Sequence, residues 1–292
     1  MQGREIGVAR VSARIPTGVN DFDHITGGLP VGSVMLLSGE PGAGSYEFSL
    51  TSAATLMRAS HRRDVRSLYL GRYQGPLALP GRVTFVSLTR SREQLLREAD
   101  AAFPTEYGEL LSEHLDFVDL SAPYFSDSVV PAAWAEAERP VLETLSSPSP
   151  SSSSEGILGS LTAAMEARGR GSLLIVDSLS DLLARSAVEP DDILTVVKGL
   201  RRRAKQWNGL VYLLLAKGVA DPRVEQGIKD SVDGVLDFSW VRHQNRSVRI
   251  RALLIEKSMP LLAYVPQELQ GRFLLDVRGK FGLVTTQYER VG

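Results

Sequence analysis

Short apolar runs alternate with longer segments of helical spacing along most of this chain. Val34–Ser38, Arg82–Ser87, Leu115–Leu120, Ser172–Val176, Leu210–Ala216 and Val235–Trp240 read as strands. Ser172–Val176 and Leu210–Ala216 are apolar nearly throughout, as burial on both faces demands. Between the strands, Tyr46–Ala59, Glu155–Arg168 and Asp191–Gln206 have helical spacing. A further helix is expected after Ser91, which can act as its N-cap while Gln94 reaches back in a capping box, and Phe103-Pro104 should end it. The alternation predicts an α/β fold with a mainly parallel sheet covered by helices on both faces. After Val235–Trp240 the rhythm changes. Val248–Ile255, Leu261–Val265, Phe273–Val277 and Leu283–Thr286 are short and separated by turn signals, which predicts antiparallel strands added at a sheet edge.

Periodicity lapses from Tyr124 and Phe125 through Trp134, and the chain then enters a serine- and proline-rich stretch, Ser146-Ser147-Pro148-Ser149-Pro150-Ser151-Ser152-Ser153-Ser154. Such a composition cannot bury enough surface to order itself. Because the strand and helix alternation resumes afterwards without a new start, residues 1–292 are expected to form a single domain with a mobile insertion at about 144–155.

Composition narrows the chemistry. With 33 basic and 34 acidic residues the chain has no overall field to draw in nucleic acid or anionic lipid. The absence of cysteine removes disulfides, thiolate nucleophiles and sulfur-ligated metals. The histidines, His24, His61, His114 and His243, are far apart in sequence and form no i, i+4 pair, so no zinc site is expected. No apolar run is long enough for a membrane span and no signal-peptide pattern opens the chain, which gives the expectation of a soluble cytoplasmic protein.

The strand at Val34–Ser38 runs into Gly39-Glu40-Pro41-Gly42-Ala43-Gly44 and then into a helix. That is the context of a phosphate loop, G-x-x-x-x-G-K-[ST], whose glycines let backbone amides close around phosphates at a helix N-terminus. The lysine of that pattern reaches the β/γ oxygens and its hydroxyl holds magnesium. Here those two positions carry Ser45 and Tyr46. A backbone nest can form, but the cation is missing and Tyr46 is too long to ligate from a position built for serine or threonine. A second signal is Leu173-Leu174-Ile175-Val176-Asp177-Ser178, an apolar strand ending in an acid of the Walker B kind.

These signals, with Ile15-Pro16-Thr17-Gly18-Val19-Asn20-Asp21-Phe22-Asp23 and Gly27-Gly28-Leu29-Pro30-Val31-Gly32-Ser33 ahead of them, resemble the RecA superfamily and its KaiC-like branch. The resemblance continues through Val86-Ser87, Gln94-Leu95-Leu96, Asp177-Ser178-Leu179-Ser180-Asp181-Leu182-Leu183 and Asp233-Gly234-Val235-Leu236, and spares only about residues 120–154. Within that branch the chain is similar to the archaeal HTR-like proteins, which also have degenerate phosphate loops.

The resemblance implies a RecA-like P-loop NTPase fold, a site for ATP with magnesium, and a protein partner or homo-oligomer. It also exposes departures. The paired glutamates that polarise water in this branch fall on Thr89 and Arg90. Of a K-x-R pair that reaches the neighbouring subunit's γ-phosphate, Lys257 is kept as a trans-contact candidate while Met259 replaces the arginine. Lys217, at the tip of Leu210–Ala216, and Arg90 are candidate substitute cations. Ser178, with no histidine near it in sequence, is not a nucleophile candidate.

Three readings follow: a non-hydrolysing regulatory or scaffolding pseudo-ATPase that binds ATP weakly, a signalling ATPase or autokinase with relocated catalytic groups, and a DNA-recombination accessory protein of the RadA-paralogue type. The basic cluster Arg201-Arg202-Arg203 with Lys205 bears on the third, but only Trp207 lies near it as a stacking platform, so nucleic-acid binding is not the expectation.

Overall fold

A computed structural model describes residues 13–62, 77–126, 128–135, 154–242, 248–258, 271–279 and 281–290. Arg14–Ile15 (β1) and Leu29–Pro30 (β2) form a small antiparallel ladder that closes around the helix Asn20–Thr26. The remaining strands are Ser33–Gly39 (β3), Arg82–Ser87 (β4), Asp116–Asp119 (β5), Ser172–Asp177 (β6), Leu210–Ala216 (β7), Gly234–Arg242 (β8), Arg249–Ser258 (β9), Gly271–Arg278 (β10) and Gly282–Arg290 (β11). They build one nine-stranded sheet in the order β11-β10-β9-β8-β3-β7-β6-β4-β5. From β8 to β5 every pairing is parallel, and from β8 outward to β11 every pairing is antiparallel.

The apolar strands are apolar because both of their faces are covered. Every residue of β3 and β6 is buried. Met35 and Leu37 pack with Phe48, Ala53 and Leu56 of the helix Ser45–His61 on one face. On the other, Val34 and Leu36 pack with Ile193, Val197 and Leu200 of the helix Pro190–Trp207 and with Leu161 and Met165 of the helix Ser154–Arg168. Each fully buried side chain of this size contributes roughly 1.5–3 kcal/mol. The capping box at Ser91 forms as the sequence predicts: Ser91 Oγ accepts from Gln94 N, and the helix Arg92–Ala102 ends at Phe103. The helix Thr105–His114 follows directly after Pro104, where the sequence reading placed no element.

The helix after the phosphate loop is covered on all sides, which its mixture of serines, threonines and aliphatics disguises. Residues Phe48 to Met57 are all buried. Its hydroxyls find partners from several elements: Ser52 with the Tyr212 hydroxyl at 3.2 Å, Thr55 with that of Tyr107 at 3.3 Å, and Thr51, which accepts from Leu283 N at 2.9 Å. Gly282 makes that last docking possible. Its φ is +72°, and a Cβ there would lie 2.7 Å from Thr51 Oγ1.

The N-terminal Thr-Gly motif has a structural task. Asp23 is buried and accepts hydrogen bonds from Thr17 N at 2.7 Å, Thr17 Oγ1 at 2.9 Å and Gly18 N at 2.8 Å. Burial pushes its carboxyl up to about 7, against the lowering effect of the Thr17 and Gly18 hydrogen bonds.

Most of the serine- and proline-rich stretch, the strand expected at Leu261–Val265, Met259 and His243 lie outside the described residues. Among the described residues no helix is long and apolar enough to cross a membrane.

Candidate phosphate site

The central strand β3 lies between β7 and β8, and the chain leaves it for a helix before returning as β4, with β7 and β6 between the two. Carboxyl ends of parallel strands at such a reversal are where α/β folds gather ligands. The loop Glu40–Gly44 sits there. Gly42 and Gly44 have φ of +72° and +116°, conformations open to glycine and strained for other residues. Among the described residues the amides of Gly44, Ser45 and Tyr46 have no hydrogen-bond acceptor in the protein. They are the free donors at the start of a 17-residue helix, and the helix dipole adds to their positive potential.

The outer side of the loop is held by the antiparallel strands. Trp240 on β8 and Arg251 on β9 stand directly opposite one another in the ladder. Trp240 Nε1 donates to Pro41 O at 3.1 Å, and Arg251 Nε donates to Gly42 O at 2.8 Å. The Arg251 guanidinium also lies 4.9 Å from the Trp240 ring centroid and 3.9 Å from Glu47 Oε1. Arg249 covers the same ring at 5.2 Å and approaches Glu40 at 3.7 Å.

On the inner side Asp177 ends β6, its side chain one-tenth exposed. Its Oδ2 accepts from Arg90 Nε at 2.8 Å. Arg90 also donates through one terminal nitrogen to both oxygens of Glu98, at 2.9 and 3.0 Å, and lies 4.5 Å above the Tyr46 ring. Tyr46 in turn donates its hydroxyl to Glu98 Oε2 at 2.9 Å. Ser87 Oγ accepts from Arg90 N at 2.8 Å and fixes the turn that aims the side chain inward. Burial opposes the Arg90 charge, but Asp177, Tyr46 and Glu98 outweigh it and hold the guanidinium above its ordinary range. Burial raises the Asp177 carboxyl, and Arg90 offsets part of that rise. The Tyr46 hydroxyl is pushed well above the usual tyrosine range, first by burial.

The other sequence candidates are dispersed. Lys217 lies at the tip of β7, where its amide donates to Gly39 O at 2.9 Å. Its ammonium contacts Asp237 at 2.6 Å, a close charge contact rather than an aligned hydrogen bond. Asp237 alternates with Leu236 and Phe238, so this pair belongs to the sheet face opposite the phosphate-loop helix. Lys257 donates to the carbonyls of Lys229 and Asp230, capping the helix Pro222–Ser231. Burial, then the charge of Arg201, pulls its ammonium below the ordinary lysine value. Ser178 caps the short helix Leu179–Leu183 in a capping box with Asp181. In the basic cluster, Arg201 and Lys205 both pair with Asp233, and Arg203 pairs with Glu166. His61 and His114, distant in sequence, stack at 4.0 Å, yet among the described residues no three metal-ligating side chains converge.

Sequence reasoning missed Glu98, Trp240, Arg251 and Asp237. Glu98 is on the solvent-facing side of an ordinary amphipathic helix, and its link to Tyr46 spans 52 residues. Trp240 and Arg251 are brought to the loop by strand register. No local signal marks any of the four. The nearby acid Glu93 pairs with Arg97, and Arg90 turns inward to Asp177.

The residues present suit part of a magnesium nucleotide. The free amides of Gly44, Ser45 and Tyr46 suit phosphate oxygens. The metal position does not fit: the carboxylate that would orient a divalent ion is bound to a guanidinium, and the residue expected to supply a hydroxyl has turned its ring beneath that guanidinium.

No family model matches the sequence, and no curated protein matches it either. Solved structures do match. A KaiC-like protein, PH0186, from the hyperthermophilic archaeon Pyrococcus horikoshii OT3 superposes with a TM-score of 0.60 over 94% of this chain and 100% of its own, at 17% identity. The flagellar accessory protein FlaH from Methanocaldococcus jannaschii gives 0.59 over 94% and 99%, at 18% identity. The chain therefore has the KaiC-like RecA fold: a mostly parallel α/β sheet, extended by antiparallel C-terminal strands and flanked by helices.

Proposed function

We propose that this protein is a non-hydrolysing regulatory or scaffolding module of the KaiC-like kind, one that takes ATP weakly through the backbone of its phosphate loop and acts through a protein partner or further copies of itself. The observation that carries the reading is the commitment of its three candidate cations. Arg90 is held by Asp177 and Glu98, Lys217 by Asp237, and Lys257 by the carbonyls at a helix end. Phosphoryl transfer depends on positioning and charge stabilisation, and loss of one arginine finger alone costs roughly 10³–10⁵ in rate. A site with no loop lysine, and with arginine in place of a water-polarising glutamate, retains a means of binding phosphates and lacks the means of transferring them.

Turnover with magnesium ATP decides between this reading and a relocated ATPase. The expected result is phosphate release no faster from the wild-type protein than from Asp177→Asn. A measurable rate abolished by that substitution would overturn the proposal. The ion pairs of Arg201, Arg203 and Lys205 support no nucleic-acid role, because their charges are already balanced by Asp233 and Glu166.

A further inference from the structure

We propose that Arg90 is the resident cation of the phosphate site, occupying the electrostatic role of a divalent metal beside Asp177, so that the site excludes magnesium and receives any phosphate-bearing ligand in its metal-free form. The inference rests on the phosphate-site reading above and adds which ionic form of the ligand enters.

Four contacts fix the guanidinium. It donates to Asp177 Oδ2 at 2.8 Å and to the two Glu98 oxygens at 2.9 and 3.0 Å, and it covers the Tyr46 ring at 4.5 Å; the Arg90 backbone amide is anchored separately on Ser87 Oγ. Tyr46 closes the circuit by donating to Glu98. A planar, permanently charged fork held at several points loses little entropy in forming these bonds. A divalent ion at Asp177 would have to displace them and place two more positive charges against a guanidinium that cannot give up its proton. Tyr46 is integral to this arrangement. In the residue position that usually supplies a metal-binding hydroxyl, its ring gives the arginine a face to stack on and its oxygen is spent on Glu98. The substitutions at positions 46 and 90 are thus two halves of one replacement, a cation built into the chain together with the platform that supports it.

The test uses the full-length protein without nucleotide and follows manganese binding by electron paramagnetic resonance. Wild type should leave the spectrum of free manganese unchanged at 100-fold above the concentration that saturates an ordinary magnesium nucleotide site. Arg90→Ser should gain at least tenfold in manganese affinity, and Arg90→Ser with Asp177→Asn should lose that gain. Arg90→Lys, which keeps a charge, should still exclude the ion and serves if the serine variant fails to fold. Manganese bound by wild type and lost in Asp177→Asn alone would overturn the proposal, as would a folded Arg90→Ser protein that gains no affinity. In a parallel titration, ATP affinity should differ less than twofold between EDTA and excess magnesium, and a tenfold requirement for magnesium would overturn the proposal. Hydrolysis is scored separately: turnover without a wild-type manganese site would sink the pseudo-ATPase reading alone, and a manganese site without turnover would sink this inference alone.

Discussion

Asp23 shows how much a single buried carboxyl can carry in this protein. It accepts three hydrogen bonds that hold Thr17 and Gly18 in place, and it does so where the charged form is poorly solvated. Replacing it by alanine leaves two amides and a hydroxyl without an acceptor, and should cost about 1–3 kcal/mol in urea unfolding. The pH dependence has a definite sign. The folded-state value of about 7 lies above the unfolded carboxyl, so the folded protein binds this proton more tightly. The contribution is complete below about pH 4 and is lost as pH rises through 7, a decline of up to about 4 kcal/mol. Wild type measured against Asp23→Asn should therefore lose relative stability between pH 4 and 7. A flat difference would show that the three hydrogen bonds keep the carboxylate ionised throughout. The spacing of Thr17, Gly18 and Asp23 was visible in the sequence, but their hydrogen bonding and the burial that sets this titration were not.

At the scale of elements, the phosphate loop is bracketed by parts of the sheet with opposite character. Its inner side faces the parallel strands and the Arg90 network, and its outer side is pinned by β8 and β9 through Trp240 and Arg251. Each outer hydrogen bond should be worth about 1 kcal/mol. Trp240→Phe or Arg251→Met should then speed hydrogen exchange of the Ala43 amide, which donates to Glu40 O within the loop, roughly fivefold, while amides of β3 and β6 keep their protection. Equal acceleration in the strands would mean that the clamp supports the whole sheet rather than the loop. The antiparallel strands were legible as short segments with turn signals. That they reach back over the loop was not, because the contact is made by cross-strand neighbours whose register no local pattern specifies.

For the molecule as a whole, one sheet carries both apolar clusters, and the serine- and proline-rich stretch joins strands of that same sheet. Deleting residues 144–152 should change unfolding free energy by less than about 0.5 kcal/mol and leave a single calorimetric transition. Two transitions in the wild type would divide the chain into separate domains. By itself the sequence determined the order of the main strands and of most helices between them, though not the helix Thr105–His114. It also determined the covering of the central strands on both faces, the strand–loop–helix unit at Gly39–Ser45 and the absence from it of a lysine and of a serine or threonine in the following position. These follow from period, turn chemistry and residue type, all of which act over a few neighbouring positions. Only the tertiary structure decided where the remaining charges go. Arg90 could have faced water and Lys217 could have leaned toward the loop. Strand order instead places Asp177 beside Arg90, the helix Arg92–Ala102 brings Glu98 to it, and the alternation of β8 presents Asp237 to Lys217 on the opposite face. Ion pairs between residues 20 or more positions apart, such as Arg90 with Asp177 across the neighbouring strands β4 and β6 and Lys217 with Asp237 across β3, are set by the order of strands, and that is a property of the folded sheet rather than of any stretch of chain.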